Sequence, residues 1–192
     1  MIFFTSDHHF DHTNIIKYCS RPFQSVDEMN EVMVKRWNEV VGVRDTVYYL
    51  GDFSLGKGSI EKFVPRLNGE KYLIMGNHDA CHPCNKKKAE MAVKLYEEVG
   101  FKMLGLESAI EIGGTEARLH HMPYQSSAPS EGYAKEPKHL KYRPVDDGRW
   151  LLHGHIHEKW QSKEKMINVG VDVWGFYPVP IAAIEKIISG AG

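Results

Sequence analysis

The chain has 192 residues, enough for one domain with a sizeable core, and its 42% hydrophobic and 26% charged content is that of a globular protein rather than a disordered one. Lys and Arg (24) nearly balance Asp and Glu (25), a formal charge of -1 that excludes a global basic field for long nucleic acid. No stretch approaches the roughly 18 apolar residues of a membrane span, no signal sequence is evident, and the odd set Cys19, Cys81 and Cys84 points to reduced thiols in a cytoplasmic protein.

Apolar runs ending in polar clusters alternate with helical patterns. Strands are expected at 2–6, 46–50, 71–75, 108–112, 116–122, 149–153 and 166–171. A helix is expected over 25–41, with Ser25 and Glu28 as a capping box, an apolar stripe of Met29, Val32, Met33 and Trp37, and Gly42 as its stop. A second runs over about 85–99 and ends at Gly100; a third, over 60–67, is short or kinked because it contains Pro65. Strand and helix alternation in the first half favours parallel pairing, whereas Gly113-Gly114 between two strand patterns reads as a hairpin. No internal repeat or linker interrupts this single-domain organisation. The Pro-, Ser-, Glu- and Lys-rich stretch at about 124–147 stands apart as an irregular insertion, the expected specificity element.

The polar residues after the strands form a pattern: "TSDHH", "LGDF", "MGNHD", "LHHMP" and "LHGHIH". In α/β sheets such strand ends converge on the edge where ligands bind. On an extended segment Asp7 and His9 point to one side and His8 to the other. His155 and His157 can share a face, with Gly154 permitting a tight turn.

Asp-x-His, Gly-Asp, Gly-Asn-His-Asp, a histidine before a proline and Gly-His-x-His, in this order from Asp7 to about Asp172, resemble the motifs of the calcineurin-like metallophosphoesterase superfamily, in its compact bacterial and phage form. The resemblance implies an α/β fold of two packed mixed sheets flanked by helices, and two divalent ions, Mn first, with Fe, Zn, Co or Ni also suited to imidazole and carboxylate. Asp7, His9, Asp52 and His157 would hold one ion; Asp52, Asn77, His121 and His155 would hold the other. For the fourth motif the spacing to Pro123 favours His121, with His120 as the alternative. The implied reaction is phosphoester hydrolysis by a hydroxide bridging ions about 3.5 to 4 Å apart. His78 is the general acid in this scheme and Asp79 its orienter, while His12 and Arg21 line the substrate side. Asp11 stands where many relatives carry glycine, so an extra carboxylate is expected near the first ion.

The expected substrate is a small phosphodiester or nucleotide. The alternatives are a nuclease, which needs a local basic groove, and a non-catalytic scaffold, which need not keep the ligands. Cys81-x-x-Cys84 allows a redox reading, disfavoured because the motif lacks a thioredoxin-like strand context. Lys86, Lys87 and Lys88 read as a solvated helix face or as steering for an anion.

Overall fold

The computed structural model describes residues 1–125, 139 and 141–190. In chain order its elements are β1 (Ile2–Thr5), α1 (Thr13–Tyr18), α2 (Val26–Val40), β2 (Thr46–Tyr49), α3 (Lys57–Phe63), β3 (Glu70–Ile74), α4 (Lys87–Glu98), β4 (Phe101–Gly105), β5 (Glu107–Ile112), β6 (Thr115–His120), β7 (Trp150–His153), β8 (Ser162–Lys163), β9 (Met166–Asn168), β10 (Val179–Pro180) and α5 (Ile181–Gly190). One sheet has the order β10-β1-β2-β3-β4 and the other β5-β6-β7-β9-β8. β1 to β4 pair in parallel and β10 runs antiparallel to β1. The second sheet is mixed: β5 and β6 form the hairpin expected at Gly113-Gly114, and β6, β7 and β9 pair in parallel. Two mixed sheets with flanking helices are thus the observed fold class.

Side-chain alternation explains the layering. Along β1, Phe3 enters the core beneath the helices and Phe4 enters the core between the sheets. Val47, Tyr49, Leu73 and Phe101 join Met29, Met33, Trp37, Phe63 and Tyr96 on the helical side. Leu50 and Ile74 meet Leu119, Leu152 and Ile167 between the sheets, and α5 adds Ile184 there.

In α2, Ser25 Oγ accepts the Glu28 N–H at 3.1 Å, as the capping box requires. The return bond is displaced by one residue, because Glu28 Oε2 accepts from Gln24 N–H at 2.8 Å. Pro65 ends α3 by diverting the chain into a 3-10 turn, Val64–Arg66, where its missing N–H costs no helical bond. The sequence reading omitted α1, β4, β8, β10 and α5; β4 presents one fully buried residue, Phe101, so its period-two signal is faint. Positions 126–138 and 140 of the expected insertion lie outside the described residues. No helix among the described residues is long and apolar enough to cross a membrane.

Truncating Phe4, fully buried between the sheets, to alanine is expected to cost about 3–5 kcal/mol of unfolding free energy. Ser25→Ala, which removes only the α2 cap, should cost about 1 kcal/mol. Denaturant unfolding of both variants tests the ranking.

Candidate metal centre

β1, β2, β3, β6 and β7 deliver their C-terminal loops to one place. There Asp7, His9, Asp52, His155 and His157 all adopt left-handed φ, between 51° and 71°, a conformation uncommon outside glycine and concentrated at functional sites. Asp7 and His9 do share a side, but not because the segment is extended: β1 ends at Thr5, and two left-handed residues aim both side chains inward. His8 turns away, its Nδ1 2.7 Å from the Tyr49 hydroxyl and its ring stacked on Phe10.

Two triads result. Ligand atoms of Asp7, His9 and His157 lie within 4.8 Å of one another, as do those of Asp52, His121 and His155. Asp52 stands between them: its Oδ2 is 3.6 Å from His9 Nε2 and 3.3 Å from His121 Nε2. Asn77 Oδ1 lies 3.0 Å from His121 Nε2 and so joins the second triad. The residues expected around each ion thus lie together, with His121 turned toward Asp52 and Asn77 and His120 Nδ1 accepting the Met122 N–H at 2.9 Å instead.

The remaining hydrogen bonds aim the donor atoms. Asp7 Oδ2 accepts from Ser6 Oγ at 2.5 Å and from His155 N–H at 2.9 Å. Asp7 Oδ1 and both ring nitrogens of His9 are buried without a hydrogen-bond partner, which in a folded interior calls for a ligand. His121 Nδ1 lies 2.7 Å from the Leu50 carbonyl, which can only accept, so Nε2 is the nitrogen left facing Asp52. His157 Nδ1 lies 3.1 Å from Asp172 Oδ2, which likewise leaves its Nε2 for a cation. The donor set of carboxylate, amide and imidazole therefore fits divalent metal.

Close backbone approach makes two motif glycines obligatory. A Cβ on Gly154 would lie 2.2 Å from both Asp7 Oδ2 and Ser6 Oγ, and one on Gly76 would lie 2.2 Å from Asp52 N and Oδ1.

Electrostatics follow from burial. Burial pushes the Asp7 pKa up against the lowering influence of His157. Burial also disfavours the Asp52 carboxylate, but His121 beside it holds its pKa well below the usual range. His9 and His155 are held neutral, chiefly by burial. His121 is pushed up to about 9, since the Asp52 charge overcomes burial. The Asp172 hydrogen bond likewise overcomes burial and raises His157.

At the rim, His78 is exposed with its ring 5.5 Å from that of His9, and the half-buried His12 ring stands 5.7 Å from that of His9. Asp79 is a correction. Its carboxylate accepts the N–H groups of Asp52, Phe53 and Gly76 and the Tyr96 hydroxyl, so it ties the β2 and β3 loops together rather than orienting the His78 ring. Burial, with the Asp52 charge, pushes its pKa up to about 6. Arg21 is a second correction. Its guanidinium, expected on the substrate side, is buried beneath the site, where it binds Asp172 at 2.7 and 2.9 Å and the carbonyls of His8 and Asp7 at 2.8 and 2.7 Å. Asp11 also faces away from the triads, toward Asn30 Nδ2 at 2.7 Å and Ser59 Oγ at 2.8 Å. The sequence reading gave no role to Asp172 or Ser6, although both follow strands at the same edge.

A two-sheet α/β protein with paired Asp/His clusters at the strand ends is the class that this fold and site define. No protein-family model matches the chain. It is 36% identical to the uncharacterized protein MJ1445 of Methanocaldococcus jannaschii, over 98% of this chain and 91% of the relative. It is 34% identical to the Gene 66 protein of Mycobacterium phage L5, over 90% of this chain and 86% of the relative. The crystal structure of AQ665, a protein of unknown function from Aquifex aeolicus, superposes with a TM-score of 0.69 at 27% identity, covering 97% of this chain and 98% of the other. The chain belongs to the family of the archaeal protein and the phage Gene 66 protein.

The Arg21–Asp172 pair generates a prediction. Asp172 has a pKa held down to about 2 by His157 and Arg21 against burial, below the unfolded value of about 3.9. Its stabilising contribution is therefore complete above about pH 4 and lost as pH falls through 2. Asp172→Asn should cost roughly 2–3 kcal/mol near neutral pH, the worth of a shift of that size, because it leaves the buried Arg21 without its carboxylate. Unfolding curves of variant and wild type should converge as the pH approaches 2.

Proposed function

We propose that the chain is a metal-dependent phosphoesterase of the calcineurin-like metallophosphoesterase kind, acting on small phosphodiesters or nucleotides in the cytoplasm, where its three free thiols stay reduced. The observation that carries this reading is the pair of facing triads with Asp52 Oδ2 between them. Asp7, His9, Asp52 and His157 would hold one divalent ion and Asp52, Asn77, His121 and His155 a second; the family resemblance puts Mn first, and imidazole with carboxylate also suits Fe, Zn, Co or Ni. Ions held there would lower the pKa of a water and leave the site positive toward a phosphoryl group.

The chain's own residues do the rest. The buried Asp7 and Asp52 carboxylates bind the ions, and the Leu50 carbonyl and Asp172 set the tautomers of His121 and His157 so that Nε2 faces inward. His78, exposed at the mouth, delivers a proton to the leaving oxygen. His12, partly exposed beside His9, is positioned to contact a phosphoryl oxygen. Arg21 supports the site from below by clamping the Asp7 and His8 carbonyls.

Hydrolysis of an aryl phosphodiester by chelator-stripped protein refilled with Mn²⁺, compared with the His155→Ala variant, is the primary test. Turnover should require metal and vanish in the variant; metal binding without turnover of any ester would favour a scaffold, and cleavage confined to DNA or RNA a nuclease. His78→Ala should slow a substrate with a poor leaving group by about 10²–10⁴ and an aryl ester far less. Asp52→Asn should lose more activity than Asp7→Asn, because only Asp52 faces both triads. Since the Asp52 charge, against burial, pushes the His121 pKa up to about 9 and a ligating imidazole must be neutral, Mn²⁺ uptake near neutral pH should release protons and weaken as the solution is acidified. Calorimetry in buffers of different ionisation enthalpy reads that release.

A further inference from the structure

The Cys-x-x-Cys motif has no place in the centre described above, and the fold splits it. Cys81 is buried and its thiol is pushed to high pKa, chiefly by burial and then by the Asp79 charge, which makes it inert. Cys84 lies on the half-buried side, in the 3-10 turn Pro83–Asn85, and there it meets two histidines. Ligand atoms of His82, Cys84 and His139 lie within 4.8 Å of one another, a third cluster built on none of the residues of the paired triads.

We propose that His82, Cys84 and His139 form a separate Zn²⁺ site that fastens His139 to the loop between β3 and α4. Both histidines are buried, to 1% and 5% exposure, with their rings 5.8 Å apart. The Cys84 N–H donates to His82 Nδ1 at 3.2 Å, which holds that ring beside the Cys84 thiol. That bond is long, and ligation through either nitrogen gives it up: through Nδ1 directly, and through Nε2 because the ring proton then moves to Nδ1. One thiolate and two imidazoles make a borderline-soft donor set that selects Zn²⁺ over Mg²⁺, Ca²⁺ or Mn²⁺. On binding, the Cys84 S–H bond breaks, the proton goes to solvent and the sulfur lone pair forms the metal bond. Bonds of about 2.0–2.1 Å to nitrogen and 2.3 Å to sulfur draw the three atoms closer, and the half-exposed Cys84 side leaves the fourth position to water.

The placement gives the site a purpose. The loop it grips also carries Asn77 and His78. Tyr142 donates its N–H to the His139 carbonyl at 2.9 Å and sets its ring 4.7 Å from His82, and the Pro144 carbonyl accepts the Gln125 N–H at 3.1 Å. Zinc would therefore brace both flanks of the paired triads, whatever reaction they perform.

Cobalt titration of the full chain tests this independently of any activity, because the paired triads contain no thiolate. Added Co²⁺ should produce a thiolate-to-cobalt charge-transfer band that stoichiometric Zn²⁺ abolishes. The band should survive Cys81→Ser and should be lost in Cys84→Ser; it should also survive Cys19→Ser, the control for a thiol whose sulfur lies within 4.8 Å of ligand atoms of His157 and Asp172. His82→Ala and His139→Ala should each weaken the titration that generates it. No band at saturating Co²⁺, a band that outlives Cys84→Ser, a band lost with Cys19→Ser, or titrations unmoved by both histidine variants would each overturn the proposal.

Discussion

Two carboxylates, Asp7 and Asp52, are buried almost completely at the edge of two sheets, and much of the surrounding structure answers that fact. A buried charge must be paired or hydrogen-bonded, and each is. Ser6 and the His155 N–H hold one oxygen of Asp7; the His78 N–H holds one oxygen of Asp52 at 2.8 Å. The other oxygen of each is left to face imidazole nitrogens across 3.3 to 3.9 Å. Groups that in most interiors would be satisfied by their neighbours are here satisfied in part only, at the point where the two triads meet.

The same constraint organises the next layer outward. Arg21 and Asp172 form an ion pair that is itself buried, and it reaches the centre twice: Arg21 through the Asp7 and His8 carbonyls, Asp172 through the His157 ring. Asp79 gathers N–H groups from the loops that present Asp52 and Asn77 and so fixes their spacing. These residues set the direction of the donor atoms without contributing donors. Their removal would disorder the site through geometry, as partners behind metal ligands generally do.

Much of this was legible from residue patterns. Strands β1 and β7, buried on both faces, declare themselves as short apolar runs, β2, β3 and β6 by partial alternation, and helix α2 by its apolar stripe of period 3.6. Their C-terminal polar clusters converge because parallel strands share an edge. β4 escaped because its burial is nearly one-ended, with Phe101 alone fully enclosed. The roles of Arg21, Asp79 and Asp11 were misjudged for a different reason. Each is a charged side chain near the site in sequence whose partner lies in a distant segment: Asp172 for Arg21, Tyr96 for Asp79, and Asn30 and Ser59 for Asp11.

By itself, then, the sequence determined the fold class, the order of the strand-end motifs and the residue types brought to one edge, because local periodicity and turn chemistry act over a few residues. It left open which of His120 and His121 faces inward, and how the rings of His121 and His157 are turned. Those choices belong to the tertiary structure. The Leu50 carbonyl captures the His121 ring and Asp172 captures the His157 ring, and each capture spans a separation in the chain that no local pattern records. The meeting of His139 with His82 and Cys84 is of the same kind, decided by packing between segments more than fifty positions apart.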